Sequence, residues 1–321
     1  MRDTAERGIA SGRGGEAGTE RWAERPTSGT ALGLGADGWV DGAGARLHVV
    51  TRGRADAPPV VLLHGFPDLW YAWRHQLPAL DAAGFRAVAP DLRGYNLSAC
   101  PPRVEDYALN LLADDVAAVI RAHAGADGRA HIVGHDWGGV VAWHLAARHP
   151  ALVDRLVIVN APHPARFREL LASSSQALRS WYVAFFQLPR VPELLLGARG
   201  RALLLRTLRT MHLRPGAFTR EDAAVYDTAF ATPGALRAAV DYYRAFVRRG
   251  TRSAADRPPL PHRTLVLWGM GDAALLPENT EGLERWVPDL RVQRVPDAGH
   301  WVMADAPDVV NAALVEFLGA P

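Results

Sequence analysis

The strongest constraint in this chain is a series of short, continuous apolar runs, each closed by a turn signal. Residues 59–63 (PVVLL) end in His64-Gly65, and residues 85–89 (FRAVA) end in PDLRG. Residues 130–133 (AHIV) run into Gly134, and 156–159 (LVIV) form a fourth run. Runs of aliphatic residues without alternation fit strands covered on both faces, as in a parallel sheet. Residues 46–51 (RLHVVT) alternate instead, like a half-buried strand. Helical periodicity fills 109–122 and 139–148. This alternation predicts an α/β fold, with a mostly parallel central sheet flanked by helices.

The alternation stops near residue 162. From there to about 250 the chain offers helix-like stretches and no convincing buried strand, including ALRSWYVAFFQLP, RALLLRTLRTMHLRP and GALRAAVDYYRAFVRR. Residues 263–269 (RTLVLWG), 290–295 (LRVQRV) and a terminal helix over 306–318 then resume the α/β pattern. The organisation expected is a flexible N-terminal tail (1–36), a core of 37–163 plus 252–321, and an inserted all-helical cap (164–251). The tail reading rests on a Gly-, Ala-, Arg-, Glu- and Ser-rich stretch without an apolar core of a signal sequence.

Composition excludes several classes. All basic side chains are arginines and are scattered, the net charge is only +2, and no compact stripe points to nucleic acid. Arg199, Arg201, Arg206 and Arg209 fit the solvated face of a cap helix. One cysteine, Cys100, excludes an internal disulfide framework and suits a reducing compartment. No apolar run reaches the ~18 residues of a membrane span. A cytoplasmic protein, monomer or homodimer, is the expectation. The twelve histidines show no metal-ligand spacing. GLGADG at 33–38 matches a dinucleotide motif by letter, but no helix is expected after it.

Residues 134–139, GHDWGG, carry the chemistry. The glycine spacing is that of a nucleophile elbow between strand and helix, with Asp136 where serine usually stands. A carboxylate is ionised at neutral pH and needs no base to become nucleophilic. Attack on a carbonyl would give a reactive anhydride, whereas attack on a saturated carbon gives an ordinary ester. An sp³ carbon with a leaving group, a strained ether or a halide, is the fitting electrophile. The plainer reading is an aspartate that caps the following helix.

Asp272 follows an apolar run in LVLWGMGDAALLP, and His300 lies in VPDAGHWVM. The order Asp136, Asp272, His300 is the nucleophile–acid–His order of the α/β-hydrolase fold. His300 is expected to activate water, oriented by Asp272. The amides of Phe66, in LLHGFPD, and Trp137 are placed to hold an oxyanion.

HGFPDLWYAWRHQLPALDAAGFRAVAPDLRGYNLSACP, GHDWGGVVAWHLAARHP, the Asp272 loop and DAGHW together resemble the α/β-hydrolase-fold epoxide hydrolases, from about residue 38 to the end. The resemblance implies two cap tyrosines that hold the epoxide oxygen, matching Tyr182 in SWYVAFF and Tyr243 in VDYYRAF; Tyr242 and Tyr71 fit less well. It implies a small-molecule epoxide and water as substrates, a vicinal diol as product, and no cofactor. A pocket lined by Phe66, Pro67, Trp137, Phe185, Phe186 and Trp301 is expected. Asn96 stands where the family commonly has Gly, and asparagine tolerates a left-handed backbone.

Related families fit less well. Haloalkane dehalogenases usually carry Asn where this chain has Phe66. Fluoroacetate dehalogenases usually carry Arg where it has Trp137. A complete triad argues against a non-catalytic, ligand-binding member of the fold. The absence of serine at the elbow argues against an esterase.

Overall fold

A computed structural model describes residues 26–320 apart from 125–126, 174, 197, 250–251 and 258. Eight strands form one sheet: Ala36–Asp41 (β1), Arg46–Arg52 (β2), Pro59–Leu63 (β3), Arg86–Pro90 (β4), Ala130–His135 (β5), Val153–Val159 (β6), Thr264–Gly269 (β7) and Leu290–Val295 (β8). Their spatial order is β1-β2-β4-β3-β5-β6-β7-β8. β2 runs antiparallel to both β1 and β4, and every pairing from β4 to β8 is parallel. This is the mostly parallel α/β sheet expected from the apolar runs.

The central strand β3 shows why its run is uninterrupted. Val60 and Leu62 enter one core cluster, with Leu77 and Leu314, while Val61 and Leu63 enter another, with Val116 and Trp143. Successive side chains point to opposite faces, so a strand covered on both sides must be apolar at every position. Helices Gln76–Ala82 (α1) and Pro307–Gly319 (α12) cover the first face. Leu109–His123 (α2) and Trp137–Arg148 (α3) cover the second.

Between β6 and β7 the described elements are helical apart from short turns. They are Pro164–Ser173 (α4), Gln176–Arg179 (α5), Trp181–Phe185 (α6), Val191–Leu196 (α7), Ala198–Met211 (α8), Arg220–Phe230 (α9) and Ala235–Arg249 (α10). α10 ties this block to the core: the Tyr242 hydroxyl donates to the Arg93 carbonyl at 2.8 Å, and Arg237 donates to the Pro101 carbonyl at 2.7 Å. Arg93 is itself fixed by a buried ion pair with Asp115 at 2.6 Å. The remaining helix, Val302–Asp305 (α11), follows the loop that carries His300.

One boundary differs from the expectation. Residues 1–25 of the expected tail lie outside the described residues, but 26–35 form turns packed on the core, with Thr27 and Ser28 buried. The Trp70 indole donates to the Thr27 carbonyl at 2.9 Å, and the Gly29 and Thr30 amides donate to Asp37. His48 bridges Asp37 at 2.8 Å and Asp91 at 2.7 Å. Burial alone would depress His48, but these two carboxylates raise its pKa to about 9. A polar, Gly-rich stretch gave no periodic signal, because hydrogen bonds and one ion cluster hold it rather than an apolar face. Among the described residues no helix is long and apolar enough to cross a membrane.

Candidate active site

The elbow is a steric construction. β5 ends at His135, α3 starts at Trp137, and Asp136 joins them with φ 49° and ψ −119°. A non-glycine residue there carries strain on the order of 1–3 kcal/mol, which its surroundings must over-determine. Two glycines make room for the turn. A Cβ on Gly138 would sit 2.5 Å from the His64 carbonyl oxygen, and one on Gly65 would sit 2.6 Å from Asp136 Oδ1. Any side chain at either position would push the elbow away from the loop after β3.

The Asp136 carboxylate makes no capping hydrogen bond to its own helix. Its Oδ1 accepts the Phe66 amide at 2.7 Å, and its Oδ2 lies 3.6 Å from His300 Nε2. The carboxylate is therefore turned from the helix toward the loop after β3 and the histidine. Trp137 begins α3 beside it, and its ring packs edge-on to Tyr243 at 5.0 Å.

His300 Nδ1 meets Asp272 Oδ2 at 2.7 Å. Asp272 is also held by the Asn160 side-chain amide at 2.8 Å and by the Ala274 and Leu275 amides at 2.8 and 2.9 Å. Burial pushes Asp272 up, but the charge and hydrogen bond of His300, with these amides, outweigh it, and its pKa lies below the usual carboxylate value. Burial pushes His300 down, but the carboxylates of Asp272 and Asp136 carry it up to about 10. At neutral pH His300 is thus an imidazolium, lying between Asp272 and Asp136.

A cavity of about 410 Å³ opens beside Asp136. Trp137, Val140, Phe167, Leu171, Phe246 and Leu275 give it an apolar lining, and Tyr182 and Tyr243 line it too. The two tyrosine rings meet edge-on at 5.8 Å between centroids. Burial first, then the nearby Asp136 charge, raises the pKa of both phenols above its ordinary value, so both are neutral at pH 7. The other two tyrosines considered are already engaged, Tyr242 with Arg93 and Tyr71 with Asp222 at 2.9 Å.

Of the six expected pocket residues, only Trp137 is among those lining this cavity. Phe66 packs on Phe186 and Tyr243, with ring centroids 5.7 and 5.4 Å apart. Phe185 packs on Phe186 at 5.8 Å. Pro67 is buried behind Phe66 after a cis peptide bond. Trp301 is buried, its indole donating to Asp68 at 2.9 Å. Phe66 and Phe186 pack against the Tyr243 ring, while Phe167 and Phe246 join the aliphatic residues that face the cavity.

Two groups escaped the sequence reading. Asn160, at the end of β6 with φ 40°, ties Asp272 to the Gly269 amide, whose proton its side-chain oxygen accepts at 2.8 Å. His135, inside the elbow motif, donates through Nε2 to the His300 carbonyl at 3.0 Å, and its ring lies 4.7 Å from that of His300. Its other nitrogen faces buried Asp68 at 3.6 Å. The available signals were a polar residue directly after an apolar run (LVIVN) and an acid directly after HGFP. Asn96 adopts φ 46°, the left-handed turn its side chain tolerates.

The comparisons agree with this architecture. Residues 58–307 match the alpha/beta hydrolase fold family. The AB hydrolase superfamily protein YfhM of Bacillus subtilis (strain 168) is 39% identical over 284 residues, covering 87% of this chain and 96% of that protein. Epoxide hydrolase 1 of Caenorhabditis elegans is 36% identical over 278 residues, covering 85% of this chain and 68% of that protein. The crystal structure of a Bacillus megaterium epoxide hydrolase with an inhibitor superposes with a TM-score of 0.78 at 30% identity, covering 88% of this chain and all of that one. By fold and by sequence, the chain belongs to the epoxide hydrolase family of the α/β-hydrolase fold.

Proposed function

We propose that this protein hydrolyses epoxides to vicinal diols through an ester on Asp136. One observation carries the reading: a carboxylate and two neutral phenols line the same apolar cavity. The carboxylate oxygen attacks a ring carbon, the carbon–oxygen bond breaks, and its electron pair goes to the ring oxygen. Tyr182 and Tyr243 hold that oxygen and a phenol donates its proton, a general-acid role suited to a leaving alkoxide. Esterification removes the Asp136 charge that helps keep His300 protonated. His300 then loses its proton, which balances the one taken by the alkoxide and restores the phenol.

Neutral His300, oriented by Asp272, takes a proton from water, and the hydroxide adds to the ester carbonyl. The Phe66 and Trp137 amides receive the oxyanion. Collapse expels the diol oxygen, which takes the proton of the new carboxyl, and Asp136 and the His300 imidazolium return to their resting charges. These steps draw on side chains, two backbone amides and water. Attack on a halide-bearing carbon would use the same carboxylate, but it has no oxygen for two phenols to hold.

A single turnover in ¹⁸O-water with enzyme in excess tests the ester. The first diol is expected to be unlabelled, with one ¹⁸O in the Asp136 peptide; label in that diol would mean water attacks the epoxide directly. The phenols are tested separately. Tyr182→Phe and Tyr243→Phe are each expected to slow ester formation by about 10²-fold, the usual cost of one lost donor to a developing oxyanion. The double variant should be almost inert toward epoxides. Rapid-quench mass spectrometry of the ester reads both effects, and a normal rate in the double variant would remove the phenols from the mechanism.

A further inference from the structure

The cap carries a surface that the chemistry above does not use. Ten large apolar side chains are exposed among the described residues, and seven of them fall between positions 178 and 203. Leu178, Trp181, Leu188, Leu194, Leu195 and Leu203 are between 47% and 79% exposed. So many exposed apolar side chains in one stretch are unusual for a surface that meets only water.

The same stretch is basic. Residues 164–215 hold nine arginines and two carboxylates, a net +7 in a chain whose total is +2. Arg190, Arg206 and Arg209 are exposed and make no ion pair among the described residues. Arg201 pairs with Asp227 at 2.8 Å, and the Arg199 side chain lies outside the described residues. On α8, Leu204 and Leu208 face inward and are buried, whereas Leu203 and Arg206, three residues apart, share the outer face. Apolar side chains interleaved with unpaired arginines are the composition of an interfacial helix surface.

One segment contributes to both the exposed stretch and the cavity. Ala177, Ser180, Tyr182 and Val183 line the cavity, while Leu178 and Trp181, between them in sequence, point out. We infer that this face of the cap docks on anionic lipid bilayers, the leucines and Trp181 entering the headgroup region and the arginines pairing with lipid phosphates. Charge selects this occupant. A second copy of the same face would bring two sets of arginines together, whereas an anionic bilayer complements them. A lipophilic epoxide dissolved in the bilayer would then lie beside the segment that also lines the cavity; that consequence rests on the function proposed above, and the docking does not.

Co-sedimentation of the full chain with vesicles tests it, using phosphatidylcholine alone and an equal mixture with phosphatidylglycerol. Binding to the mixed vesicles is expected to be at least ten-fold tighter than to the neutral ones, and to weaken in 0.5 M salt as screening predicts. Two variants at exposed positions, Leu194→Ser/Leu195→Ser/Leu203→Ser and Arg206→Glu/Arg209→Glu, should each bind at least ten-fold less, with unchanged melting temperatures showing that they fold. Failure of the parent chain to sediment with the anionic vesicles overturns the inference. So does undiminished binding in both variants, or light scattering that finds a dimer which the leucine variant dissociates.

Discussion

Replacing Asp136 with alanine is expected to abolish epoxide turnover, by about 10⁴-fold or more, and to lower the pKa of His300. The first effect follows from covalent catalysis. Without the carboxylate no ester can form, and the remaining groups give only the residual rate of a site missing its nucleophile. The second follows from the resting geometry. Asp136 Oδ2 lies 3.6 Å from His300 Nε2 and helps Asp272 carry that imidazole to about 10 against its burial. Deleting one of two carboxylates removes part of that support, and burial then acts with less opposition. Steady-state rates and an NMR titration of the imidazole read the two effects in one preparation. Retention of more than about 1% activity would exclude Asp136 as the nucleophile, since loss of a nucleophile costs far more. An unmoved His300 pKa would mean that Asp272 alone sets the charge of the base.

The parts legible in the sequence were those with a period or a fixed spacing. Pro59–Leu63 is a strand buried at every position, as its unbroken apolar run says, and Leu290–Val295 resumes the sheet where the α/β pattern returns. The absence of buried runs between 164 and 249 matches the helices described there, because a strand inside a sheet cannot hide its apolar requirement. The elbow glycines announced the turn that carries Asp136 between β5 and α3. β1, with Gly38 at its centre and little apolar content, lay below that level of signal. It exists because β2 offers it an edge, and because Asp37 meets His48. α1, seven residues long with a proline inside, was too short for its period to show.

The site was less legible than the fold, for a physical reason. Asp136, Asp272 and His300 sit at the ends of strands or in the loops that follow, and chain order alone indicates that such positions converge. Which aromatic rings face a cavity and which face one another depends on packing between cap and core. Phe186 illustrates it: next to Phe185 in sequence, it is buried against both Phe66 and Tyr243 and supports the second phenol instead of lining the cavity. Asn160 and His135 were invisible for a similar reason. Each acts through a hydrogen bond to a residue more than 100 positions away, Asp272 in one case and His300 in the other.

Substituting His300 with glutamine is expected to stop the reaction halfway. Ester formation needs the Asp136 carboxylate and a proton donor for the leaving oxygen, and Tyr182 and Tyr243 can supply the latter. Ester hydrolysis needs a base, and glutamine is not one. The kcat should fall by about 10³-fold, within the range of a lost general base, while the protein gains the mass of one substrate on the peptide containing Asp136. The pH dependence of the parent enzyme should carry the matching signature. In the free enzyme His300 stays protonated until about pH 10, so kcat/KM should show no rise near 6.5 from this group. In the ester Asp136 is neutral, one source of the upward shift is gone, and the imidazole titrates lower. A kcat limited by hydrolysis should therefore rise with pH through a midpoint below 10, because only the neutral imidazole can accept a proton from water. If the glutamine variant turns over without accumulating ester, His300 is not the base. If kcat and kcat/KM share one midpoint, the charge of Asp136 does not control it.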